Sequence, residues 1–123
     1  MKFLTTILTL TLTLGTLTLS TPAKSADVES LLAGLCDNVA NDNKSRLRKK
    51  LKEAGVKLRN IYDGITCGGL PLVRYAMLKN AQSTGSFIVK RMPASHFASS
   101  GDLDWANANG HGGSDIAKAI QKR

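Results

Sequence analysis

Apolar positions recur at helical intervals along most of residues 26–123. Val28, Leu31, Leu32, Leu35 and Val39 share one face of a first helix, as period-3.6 patterning requires. Asp27 is placed to cap it, with Glu29 in its first turn. Cys36 falls at the edge of the same stripe. Asn41-Asp42-Asn43 reads as a turn that supplies the next cap. A second helix, Lys44 to Ala54, has only Leu47, Leu51 and Ala54 on its apolar face. Gly55 fits the left-handed stop after its last turn. Such a thin stripe packs on one side only and leaves the rest of the helix in water. Val56 to Tyr62 alternates weakly, as a short extended segment or an irregular connection. Asp63-Gly64 signals a turn, and Thr66-Cys67-Gly68-Gly69 a flexible loop.

Pro71 sits where a first helical turn tolerates proline. The helix it opens turns Leu72, Tyr75, Ala76 and either Met77 or Leu78 inward and ends near Asn80. Another runs from about Thr84 to Met92, carrying Phe87, Ile88, Val89 and Met92, and Pro93 stops it. Beyond Pro93 the composition shifts to Ala, Ser, Gly and Asn. Ala94 to Gly113 reads as a loop with one helical turn capped by Asp102, anchored by Leu103 and Trp105. Ser114-Asp115 caps a terminal helix, Ile116 to Lys122, which either docks through Ile116, Ala119 and Ile120 or stays loose. The expected fold is all-α: a small bundle of four to five short helices, in two helical hairpins. Residues 26–93 form its disulfide-stapled part and 94–123 a Gly/Ser/Ala-rich loop with a short C-terminal helix.

The first 25 residues follow a different logic. Lys2 is followed by an uncharged Leu/Thr-rich run from Phe3 to Leu19 and a small-residue region at Pro22-Ala23-Lys24-Ser25-Ala26. This is the layout of an export signal. Small residues at −1 and −3 favour cleavage after Ser25, with Ala23 at −3; cleavage after Ala26 would set Lys24 at −3. The Thr-diluted run is short for a membrane-spanning helix. The expected location is periplasmic or secreted, with no transmembrane segment in the mature chain. In an oxidising compartment, Cys36 and Cys67, the only two cysteines, read as one disulfide. Closing a loop of that length stabilises a chain by roughly 3–4 kcal/mol in the chain-entropy model.

Charge sharpens the picture. Without Lys2 and Lys24, residues 26–123 carry 15 basic and 9 acidic side chains, a net charge of +6. The segment Lys44 to Arg59 alone holds eight bases and the single acid Glu53, a net +7. The protein therefore carries one basic block on a nearly neutral body. Lys44, Arg46, Arg48, Lys49, Lys50 and Lys52, flanked by Lys57 and Arg59, form a candidate anion-binding face. It suits an anionic envelope polymer or lipid head groups. No aromatic residue lies in the basic helix to stack on bases, and no specific nucleic acid is expected. The bland alternative is a solvated face that aids solubility.

Asn43 to Pro93 includes Leu47-Arg48-Lys49-Lys50-Leu51, Lys57-Leu58-Arg59-Asn60-Ile61-Tyr62-Asp63-Gly64-Ile65, Cys67-Gly68-Gly69 and Phe87-Ile88-Val89-Lys90-Arg91. This run resembles a small two-cysteine family of exported Gram-negative bacterial proteins, a domain of unknown function. The resemblance implies export and a disulfide, and it brings no catalytic residues. Leu70-Pro71-Leu72-Val73-Arg74-Tyr75-Ala76 is similar to one ankyrin-type helical hairpin through Pro71, Leu72 and Ala76. Val73 stands where that pattern has His, and Tyr75 where it has a small residue. One repeat cannot bury its own face, so the likeness implies a helical pair over Pro71 to Met92 and no ankyrin array.

Other chemistry is sparser. His96 and His111, with Asp102, Asp104 and Asp115 nearby, match no tight metal-ligand spacing, and no metal or cofactor is expected. A small basic nuclease would need an acid–base pair and a phosphate cation, for which His96, His111 and Lys90 are the residues to examine. Cys36 and Cys67 are too far apart for a redox C-x-x-C. The expected function is that of a non-catalytic exported protein. Its basic helix would contact an anionic envelope component. The alternatives are another protein bound through the 71–92 hairpin and, more remotely, a hydrolase.

Overall fold

A computed structural model describes residues 23–123. The expected leader, residues 1–25, lies outside the described residues except for its last three, which open the first helix. The elements are α1 (Ala23–Ala40), α2 (Lys44–Ala54) and α3 (Leu58–Ile61), then a 3-10 turn (Tyr62–Gly64). A minimal hairpin of β1 (Thr66–Cys67) and β2 (Leu70–Pro71) follows. The chain ends in α4 (Leu72–Leu78), α5 (Gln82–Arg91), α6 (Ala94–Ser100), α7 (Asp102–Ala108) and α8 (Asp115–Gln121). The all-α class with one disulfide holds. Among the described residues there are eight helices where the apolar periodicity predicted four to five, because α3 is a single turn and α6 and α7 lie in a segment with few large apolar residues to show a period.

The α4–α5 hairpin is the centre. Leu72, Val73, Ala76 and Met77 of α4 and Thr84, Gly85, Ile88 and Val89 of α5 are all buried. Helix α1 brings Leu35 and Val39 against α2 and α4, and α8 brings Ile116, Ala117 and Ile120 against α5. The α5–α8 approach depends on Gly85: a Cβ there would collide with Ile116. The C-terminal part therefore shares the main core, and the alternative of a loose tail is ruled out. Val28, expected inward, is 52 % exposed, and of the pair Met77 and Leu78 it is Met77 that is buried.

Four local readings are corrected. Helix α1 starts at Ala23, so Asp27 lies inside it and is not its cap. The weakly alternating Val56 to Tyr62 is no strand: Leu58 and Tyr62, four residues apart, are both buried, and one helical turn puts both on the core. Gly68 and Gly69 are not a flexible loop. Both have positive φ, 58° and 79°, and close a two-residue hairpin that pairs Cys67 with Leu70, the backbone such turns require. Ala94 to Gly113 is not a loop but carries α6 and α7, joined by Gly101 at φ 72°. Asp102 does not cap a turn; it is the first residue of α7 and is buried.

The hairpin delivers Cys67 to α1. Cys36 and Cys67 are joined by a disulfide, with Cα atoms 5.7 Å apart. Among the described residues no helix is long and apolar enough to cross a membrane.

Candidate functional site

The basic helix is well made locally. The Asn43 side chain accepts a hydrogen bond from the Arg46 N–H at 3.1 Å, and Gly55, at φ 65°, closes the far end. Leu47 and Leu51 are its buried residues, so the expected one-sided packing is realised. Its cations consequently splay over the remaining circumference, and neighbouring elements decide which of them converge.

They converge on an open cleft of about 700 Å³ between α2, α3 and the end of α5. Arg48, Lys49 and Lys52 line it from α2, and Lys57 and Arg59 from the start of α3. Burial of Leu58 between these last two turns that connection onto α5. Lys90 and Arg91 line it from the last turn of α5, where a cation also complements the carbonyl end of the helix. Seven cationic side chains thus meet, and no carboxylate lines the cleft. Among the described residues, only Lys49 of the seven has an ion-pair partner, Glu53 at 3.8 Å, with both side chains largely in solvent. Val56 and Phe87 contribute half-buried carbon to the lining, and the Arg91 guanidinium lies 5.0 Å from the centre of the Phe87 ring.

Of the eight cations singled out in the sequence, five line the cleft. Lys44, Arg46 and Lys50 do not. The Lys50 side chain turns toward α1, over Gly34, where a Cβ would meet its ammonium group. Lys90, Arg91 and Phe87 are the lining residues that the sequence did not connect to the basic block. They lie some thirty residues downstream, and only the packing of α2 and α3 on α5 brings them in.

A second, smaller recess of about 220 Å³ is lined by Tyr62, Arg74, His96, Ser100 and Asp102, among others. Asp102 is 2 % exposed. Its Oδ1 accepts from Arg74 Nε at 2.8 Å, while Arg74 Nη2 donates to the Ser100 carbonyl at 2.9 Å. A buried carboxylate needs such a partner, and the pair ties the α6–α7 corner to α4. The Tyr62 hydroxyl accepts from the Val73 N–H at 3.2 Å, and its ring meets His96 edge-on at 4.9 Å. Burial is the main cause that pushes the Tyr62 hydroxyl up to about 12; the Val73 N–H opposes it.

The nuclease residues are not gathered. Lys90 lines the cationic cleft, His96 lines the recess, and His111 lies flat against Trp105, with ring centres 5.8 Å apart. His96 Nε2 stands 3.9 Å from Asp102 Oδ2, beyond hydrogen-bond reach. Among the described residues no three His, Cys, Asp or Glu side chains cluster as metal ligands. The recess is organised around one buried ion pair, Arg74 with Asp102, whereas the cleft presents mostly unpaired cations to solvent.

Neither a curated protein nor a solved structure matches the chain. The sequence profile of the DUF3718 family, described as a protein of unknown function, matches residues 35–99, a span that holds both cysteines and the whole cationic cleft; the chain belongs to that family.

Proposed function

We propose that this is a non-catalytic binding protein of the periplasm or the extracellular space, whose cleft receives phosphate or sulfate groups of an anionic envelope component. The observation that carries the reading is the convergence of seven cations from three chain segments on one concavity with no acidic lining residue. A solvated face that serves only solubility has no need to gather Lys90 and Arg91 beside Lys52 and Arg59. Charges carried on separate elements of a packed core have their backbone positions fixed in advance, so an anion has only the exposed side chains left to order. Export is supported by the leader-like N-terminus and by the disulfide, a bond that persists in oxidising compartments.

The 71–92 hairpin turns most of its apolar residues to the internal core, leaving Leu78 exposed and Tyr75 and Phe87 half-buried. Retention on immobilised heparin tests the anion reading. The wild-type protein should elute above about 0.2 M salt, and Lys52→Glu with Arg59→Glu should lower that markedly. Lys44→Glu with Arg46→Glu changes net charge equally but lies outside the cleft, and should do less. Equal losses for both pairs would reduce the site to diffuse charge; no retention at all would end the reading.

A further inference from the structure

We infer that the cleft is built for an amphiphilic anion, a lipid with a multiply phosphorylated head group, rather than for a hydrated polymer. This rests on the anion-binding reading above and narrows its ligand class. Carbon is the first observation: among the cations, the half-buried Val56 and Phe87 and the buried Leu51 and Leu58 also line the cleft and give it an apolar surface. A polyanion that keeps its hydration shell gains nothing from such a surface, whereas hydrocarbon displaces water from it favourably. Shape is the second. An open cleft of about 700 Å³ between three segments is the size of a compact-ligand site, and the remaining helix cations, Lys44, Arg46 and Lys50, do not extend it into a track. Charge is the third. One phosphate engages two or three cations through charge-assisted hydrogen bonds, so seven imply more than one anionic group.

The Arg91 guanidinium over the Phe87 ring sets cation and apolar surface side by side, the order in which a phosphorylated head group meets its first acyl carbons. In the bound state the phosphates lie among Arg48, Lys52, Lys57, Arg59 and Lys90, and the proximal hydrocarbon lies on Val56 and Phe87.

The probes are a soluble dioctanoyl phosphatidylinositol bisphosphate and its deacylated counterpart, glycerophosphoinositol bisphosphate, which carries the same phosphate groups. Each is titrated calorimetrically at physiological salt into the protein as recovered from cells. The acylated probe should bind at least about tenfold tighter, a difference of roughly 1.4 kcal/mol. Phe87→Ser and, separately, the milder Val56→Ser should shrink that ratio toward one, the acylated probe losing more affinity than glycerophosphoinositol bisphosphate in each. Equal affinity of the two probes for the wild-type protein overturns the inference without needing either variant. An acyl gain untouched by both substitutions overturns it too. If both probes bind equally and both are lost in Lys52→Glu with Arg59→Glu, the anion reading stands and the lipid inference falls. If neither probe binds, and heparin retention is also indifferent to the cleft charges, both fall.

Discussion

Burial keeps the Tyr62 hydroxyl neutral well beyond the pH at which an exposed tyrosine ionises. The side chain is 3 % exposed, and its oxygen already serves as acceptor for the Val73 N–H. The folded state therefore holds its proton up to about 12, while the unfolded chain releases it near 10. Between those values the unfolded state binds fewer protons, so stability falls as pH rises. The contribution is complete below about pH 10 and is lost on the way to about 12, and it amounts to roughly 3 kcal/mol. Thermal unfolding followed from pH 8 to 12 should show this decline in the wild type, and a shallower one in Tyr62→Phe, which keeps the ring but cannot ionise. Parallel curves would show that another group governs the alkaline limb. At neutral pH the same variant should be slightly less stable, because the Val73 N–H is left without its acceptor.

Helices here are finished by residues distant in sequence. Ala81 precedes α5 and offers no side-chain cap. Instead Asp42, held at φ 50° in the turn between α1 and α2, reaches across and accepts from the Thr84 N–H at 2.8 Å. A carboxylate at a helix N-terminus satisfies an orphan donor and meets the positive end of the dipole. Gln82 in turn accepts from the Ile116 N–H at the start of α8. Asp42→Ala should cost about 1–2 kcal/mol in urea unfolding, from the lost cap and the left-handed backbone together. Asp42→Asn, which tolerates that backbone and still offers an acceptor, should cost less than half as much. Equal costs would mean that neither the acceptor nor the left-handed backbone carries the effect, only the carboxylate's charge. Because α5 carries Lys90, Arg91 and Phe87, this cap also steadies one wall of the cleft.

For the whole molecule the disulfide is the largest single constraint. It ties α1 to the hairpin over 31 positions, and replacing both cysteines by serine should lower stability by roughly 3–4 kcal/mol in the chain-entropy model. That is a large share of what a domain of this size possesses, and it should appear as a lower urea midpoint matched by the reduced wild-type protein. An unchanged midpoint would mean that the core alone suffices. How the fold could be read from the chain follows the range of the forces involved. Local chemistry was legible in the amino-acid order: the α2 caps at Asn43 and Gly55, the helical pair begun at Pro71 and stopped at Pro93, the Ser114 start of α8, and the density of charge from Lys44 to Arg59. Each rests on interactions within about one helical turn. The helices α3, α6 and α7 were not: α3 is a single turn fixed by Leu58 on the core, and α6 and α7 lie in a segment of small and polar residues with few apolar positions to show a period, where Asp102 on Arg74 holds the corner between them. The sequence by itself thus determined the class of the fold, the cysteine pair and the presence of a basic block. Only the tertiary structure decided which five of its eight cations face one cleft, that Lys90, Arg91 and Phe87 complete it, and that Lys50 turns away. Side-chain direction around a helix depends on which face the core claims, and that claim is made by residues far along the chain.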